Sequence, residues 1–180
     1  MENPENSSQT IGRNRAVFDL AYLLSCAVNE SQPDPERVSA MDFDAVYGLA
    51  DKHMLGAAAA MALESAGFRD KRSTRIIAVS LQKTVLFDQA KKAVLGALED
   101  AGIWYMPLKG AVIKDLYPKS GMREMADLDI LFDASRAAEV RTIMEALGFS
   151  TYKYGQSTHD VYRKKPVLYF EMHKALFGMG

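Results

Sequence analysis

The chain has 180 residues, 48% hydrophobic and 25% charged, enough apolar material for one sizeable core or one core with an appended helical subdomain, which excludes a disordered chain. Its 22 lysines and arginines nearly balance 23 aspartates and glutamates, for a formal net charge of -1, which argues against a broad basic surface gripping long nucleic acid. A single cysteine, Cys26, excludes a disulfide framework and a Cys-rich zinc site, so a reducing cytoplasm is the expected compartment, and with no apolar run of spanning length no membrane partner is expected.

Residues 1–13 are polar, contain no apolar signal-peptide core and predict a flexible tail. From Asn14 to Asn29, Val17, Leu20, Leu24 and Ala27 recur at helical spacing and predict the first helix, which ends before the proline-marked connection ESQPDPE. Phe43, Val46, Leu49 and Ala50, then Met54 through Leu63, predict two short helices broken between His53 and Gly56, with Gly67 stopping the second. After the basic link RDKRST, Ser73 is the expected cap of a long helix carrying Ile76, Ile77, Val79, Leu86, Ala90, Val94, Ala97 and Leu98, closed by Gly102. Residues 14–102 are thus expected to form a helical subdomain.

The pattern changes at Ile103. IWYMPLK predicts a buried strand ending in a tight turn at Gly110, and AVIKDLY a brief helix stopped by Pro118. DLDILF predicts a second strand and SRAAEVRTIMEALGF an amphipathic helix with Gly148 just past its last turn. STYKYG, THDVYRKK and VLYFEMHK predict an antiparallel set. The fold class expected is α+β: a helical N-terminal half, then a core over residues 103–180 with a mixed, largely antiparallel sheet.

The chemistry concentrates in ADLDILFD. Residues two apart on a strand share a face, so Asp127 and Asp129 project together while Leu128, Ile130 and Phe132 face the other way. VLYFEMH repeats the design, with Tyr169, Glu171 and His173 opposite Leu168, Phe170 and Met172. If the two strands are neighbours, three carboxylates converge, and like charges that close raise one another's pKa unless a counter-charge arrives. Magnesium, which prefers oxygen ligands and accompanies phosphates, would supply it; a pair of such ions about 3.5–4 Å apart is the usual machinery for in-line displacement at phosphorus. Acidic residues also alternate on the wet face of ordinary antiparallel strands, and DLDILFD alone fits that reading too.

Upstream, LKGAVIKDLY puts Lys109 and Gly110 between a strand and a helix, where a glycine lets the backbone approach an anion; a plain turn beside an exposed lysine has the same pattern. Arg123 could clamp phosphate oxygens, or pair with Asp127 or Glu124. His53 and His159 have no ligand-spaced partner, and three scattered histidines do not make a zinc site. Asp133 suits a helix N-terminus better than the site.

Together, LKGAVIKDLYPKSGMREMADLDILFD and the later hydrophobic-Glu-hydrophobic strand resemble the nucleotidyltransferase superfamily with the DNA polymerase β type of catalytic domain. They are similar in particular to its bacterial branch of uncharacterised nucleotidyltransferases, over Ile103 to Leu176. The resemblance implies a metal-dependent nucleotidyltransferase that moves a nucleoside monophosphate from a nucleoside triphosphate to an acceptor hydroxyl by a two-metal mechanism. Asp127, Asp129 and Glu171 would be the catalytic and metal-binding residues, and Lys109, Gly110 and Arg123 the nucleotide-binding ones. Two Mg2+ ions, with Mn2+ as the alternative, are the implied cofactors, and the acceptor is expected to be a small molecule or protein rather than a long nucleic acid. Two departures stand out. The superfamily's turn usually holds Gly-Ser, whereas here it is Gly110-Ala111, which leaves Lys109 to compensate for the missing hydroxyl. The sequence also stops soon after Glu171, so either the core is cut short at its C-terminus or the front helices take over the work of later ones. The alternative is a catalytically silent nucleotide-binding or protein-interaction module of the same fold. No Gly-x-x-x-x-Gly-Lys-Ser/Thr loop is present, which argues against a P-loop enzyme.

Overall fold

The computed structural model describes the backbone of residues 4–177 and the side chains of residues 15–177. Among them are seven α-helices and a five-stranded mixed sheet. The chain divides into two units, one running to Leu81 and including Tyr117–Glu124, the other comprising Gln82–Leu116 and the residues from Met125 onward.

The first unit holds α1 (Pro4–Val28), α2 (Pro35–Ser39), α3 (Phe43–Lys52), α4 (Gly56–Ser65) and the beginning of α5 (Lys71–Asp100). Helix α1 takes in residues 4–13 of the stretch that the sequence assigns to a tail; residues 1–3 of that tail lie outside the described residues. The short α2 falls where the sequence predicts a plain connection. Pro35 sits in its first turn, pre-set for helix, and Asp34 caps it by accepting from the Glu36 amide at 3.0 Å. Helix α4 is buried from Gly56 through Leu63, as a helix apolar on every side must be. It packs with Leu20 and Leu23 of α1 and Val46 and Ala50 of α3 in one core cluster.

Helix α5 begins earlier than the Ser73 cap expected from sequence. Asp70 Oδ1 accepts from the Ser73 amide at 2.7 Å and Ser73 Oγ accepts from the Asp70 amide at 3.1 Å, so Asp70 is the cap and Ser73 completes a reciprocal box. At its other end Gly102 takes φ +64 and the Ile103 amide reaches back to the Leu98 carbonyl at 2.9 Å, closing the helix as the sequence predicts. No helix among the described residues is long and apolar enough to cross a membrane.

The rest of α5 and the elements from Ile103 onward build the second unit: β1 (Tyr105–Pro107), α6 (Gly110–Ile113), β2 (Leu128–Phe132), α7 (Ala137–Ala146), β3 (Ser150–Lys153), β4 (His159–Lys164) and β5 (Leu168–His173). The strand order is β1-β2-β5-β4-β3, with β2 and β5 parallel and the other pairs antiparallel. β1 is a sheet edge of only three residues, with Trp104 and Met106 exposed, in place of the buried strand that IWYMPLK predicts. One face of the sheet is covered: Leu128, Ile130, Phe132, Leu168, Phe170 and Met172 pack with Phe87, Val94 and Leu98 of α5 and Val140 and Met144 of α7. Each fully buried side chain of this kind contributes about 1.5–3 kcal/mol. The alternation that buries these residues turns Asp129, Glu171 and His173 to the opposite face.

Candidate active site

β2 and β5 run side by side with Asp129 in register with Glu171 and Leu131 with His173. Parallel partners in register share a face, so the two carboxylates meet because a single hydrophobic alternation is repeated on both strands. Asp129 is nearly buried, its side chain 5% exposed, whereas Glu171 is 27% exposed. Asp127 stands one residue before β2 begins and is half-buried. Its carboxyl is pushed above the ordinary aspartate value, first by burial and then by the charges of Asp129 and Glu171, with Lys109 opposing. The three carboxylates therefore share one electrostatic neighbourhood.

Lys109 provides the counter-charge. Its Nζ bonds Asp129 Oδ1 at 2.7 Å. The ammonium is held above its usual pKa chiefly by that bond; burial opposes, and the charges of Asp129, Glu171 and Asp127 add to the rise. The backbone reason is unexpected. The sequence places the tight turn at Gly110, yet it is Lys109 that adopts the positive φ, at φ 46 and ψ -123, while Gly110 is the buried first residue of α6. That conformation costs a non-glycine residue on the order of 1–3 kcal/mol. Bonds on both sides hold it: the Leu108 amide donates to the Asp129 carbonyl at 2.9 Å, and the Ile113 amide donates to the Lys109 carbonyl at 3.0 Å. Strand pairing and helix start together force the turn, and the turn delivers the ammonium to Asp129.

Two histidines complete the cluster. His173 Nε2 lies 2.8 Å from Asp129 Oδ1 and 3.5 Å from Glu171 Oε2. His159, to which sequence assigns no partner, is in register with His173 across β4 and β5, its Nε2 3.8 Å from Glu171 Oε2. A signal for this was present: Pro166 marks the centre of the hairpin, and His159 and His173 are equally far from it on either side. Donor atoms of Asp129, Glu171 and His173 all lie within 4.8 Å of one another, a set that could hold a metal ion.

Farther along the same face, Arg163 is in register with Tyr169 and lies over the rings of Tyr152 at 3.0 Å and Tyr169 at 4.5 Å. Arg163 and Lys164 belong to β4, within the THDVYRKK stretch that the sequence reads as part of the antiparallel set, and Lys164 Nζ donates to the Leu147 carbonyl at 2.8 Å. Arg123 belongs to the first unit, where its Nη1 donates to the Glu124 carbonyl at 2.9 Å and the Glu124 carboxylate accepts from the Ala57 amide at 2.8 Å. The structure thus brings Lys109, Asp129, Glu171 and His173 together with Asp127 in their field.

No curated protein and no solved structure matches the chain. A family model described as an uncharacterised nucleotidyltransferase matches residues 39–179, which takes in the helices from α3 onward as well as the whole sheet. With most of its length so matched, the chain belongs to the uncharacterised nucleotidyltransferase family.

Proposed function

We propose that the protein transfers a nucleoside monophosphate from a nucleoside triphosphate to an acceptor hydroxyl, with pyrophosphate leaving, on a core of the DNA polymerase β type. The observation that carries this reading is the parallel pairing of β2 with β5, which sets Asp129 against Glu171 on the sheet face opposite the α5–α7 core, with Asp127 beside them. The donor set fits a divalent cation: a nearly buried carboxylate, a second in register with it, and a third whose proton affinity is raised by burial and then by the charges of the other two. Asp127, Asp129 and Glu171 would hold it. When bound, such ions neutralise charge on the triphosphate and make the acceptor hydroxyl easier to deprotonate.

The chain's own groups do the rest. Lys109, fully charged at neutral pH, orients the triphosphate together with the backbone at Gly110, and the buried Ala111 offers no hydroxyl to assist. Glu171 is the more exposed of the two paired carboxylates, so it is the one an acceptor hydroxyl reaches, and it takes that proton.

The test is calorimetric titration of each nucleoside triphosphate with Mg2+, with Mn2+ and with neither, against wild type and the Asp127→Asn/Asp129→Asn variant. Metal-dependent binding that disappears in the variant is expected, and the tightest nucleotide then serves an acceptor screen. A folded wild type that binds no nucleotide with either metal would overturn the reading in favour of a silent interaction module.

A further inference from the structure

The metal reading above counts only oxygen donors, but the side chain that aims most directly between the two paired carboxylates is an imidazole. His173 Nε2 sits 2.8 Å from Asp129 Oδ1 and 3.5 Å from Glu171 Oε2. Ligand atoms bound to one ion at bond lengths near 2.1 Å stand roughly 3–4 Å apart; the His173–Glu171 separation of 3.5 Å matches this, the His173–Asp129 contact of 2.8 Å is a hydrogen bond that an ion would replace, and all three donors fall within 4.8 Å of one another. His173 is held there from several directions. Its strand is paired on both sides, its side chain is only 12% exposed, and the His159 ring lies 5.1 Å away across β4, tilted by 40°. His159 Nε2 lies 3.8 Å from Glu171 Oε2 but is not among the donors that all fall within 4.8 Å of one another, so it supports the set rather than belonging to it.

We infer that this centre binds a first-row divalent transition ion through a mixed shell of Asp129, Glu171 and the Nε2 of His173, in preference to Mg2+. The inference rests on the metal reading of the same site and goes beyond it by naming a nitrogen ligand. Magnesium keeps to oxygen and sheds water reluctantly, whereas imidazole suits the transition ions, so replacing one oxygen donor by nitrogen turns selectivity away from magnesium. Lys109, bonded to the same Asp129 oxygen as His173, marks where positive charge is already accommodated.

The experiment uses the full chain stripped of metal, with Mn2+ as probe and no nucleotide needed. Electron spin echo spectroscopy of bound Mn2+ reads nitrogen coupling directly, and growth on 15N-histidine assigns the coupling to imidazole without any substitution. Expected are one bound Mn2+, a nitrogen signal that changes on histidine labelling, and a Mn2+ over Mg2+ preference of about tenfold or more in competition. In His173→Gln, which retains hydrogen bonding to Asp129, the signal should vanish and the preference shrink, with circular dichroism verifying the fold. Bound Mn2+ without nitrogen coupling, or displaced by an equal concentration of Mg2+, overturns the inference and leaves the nucleotidyltransferase reading intact. No metal bound by the folded protein, with or without nucleoside triphosphate, overturns both.

Discussion

At the residue scale the site is defined by two side chains held against their ordinary preferences, Lys109 in its backbone and Asp127 in its charge. In Lys109→Gly the left-handed conformation is free of steric cost, whereas in Lys109→Met it is kept and only the ammonium is lost. The glycine variant should therefore be more stable than the methionine variant by about 1 kcal/mol in urea unfolding, while both lose nucleotide affinity. Asp127 has the opposite sign to a salt-bridged carboxylate. Its folded pKa is raised, so the folded state binds the proton more tightly than the unfolded chain does, and stability falls as pH rises from the ordinary aspartate value through the raised one. In metal-free protein, Asp127→Asn should raise the melting temperature at pH 7, with the gain vanishing below about pH 4 where both states are protonated. On the proposed function, in which Asp127 is one of the carboxylates that would hold the ion, saturating divalent metal should reverse the order. Much of this was legible in the sequence: a period of two puts Asp129 and Glu171 on the same face of their strands, although Asp127, expected on the strand, stands one residue ahead of β2. What was not legible is long-range, namely the strain at Lys109 instead of Gly110 and the contact of His173 with Asp129. Both depend on which strands become neighbours, and no local pattern fixes that.

At the element scale, caps and alternation explain most boundaries. Asp70→Ala removes the side-chain acceptor at the start of α5 and should cost about 1 kcal/mol in thermal or urea unfolding. Phe170→Ala acts in the middle of the sheet. Phe170 is fully buried and packs edge-on to Phe149 with centroids 5.0 Å apart, so its truncation should cost about 3–5 kcal/mol and disrupt the proposed metal site with the fold. Long periodic segments such as α5 and α7 could be read from sequence because many residues vote for one face. Short elements could not: α2 is only five residues and depends on one aspartate and one proline, and β1 is a three-residue edge whose apolar letters point to a buried strand. Trp104, just before β1, and Met106 alternate with Tyr105, which packs against the core, so both point away from it and are exposed.

At the scale of the whole molecule, the change in sequence pattern at Ile103 does not coincide with a gap in packing. The core of the second unit takes Phe87, Val94 and Leu98 from α5, so a fragment cut at residue 103 would expose the covered face of its sheet. Such a fragment should show neither dispersed amide resonances nor cooperative unfolding, and restoring residues from Gln82 should recover part of both. The strand order carries a temporal consequence as well. Edge strands β1 and β3 precede β5 in the chain, yet β5 is the middle of the sheet. On the ribosome, β2 and β4 must wait with one side unpaired until β5 emerges, and His173 follows Asp129 by 44 residues, roughly 2–9 s of synthesis. Asp129 thus stays hydrated, and its repulsion from Glu171 unfelt, until the closing strand enters. No nascent chain shorter than that can hold the proposed centre, so the protein gains its chemistry in the same event that completes its sheet.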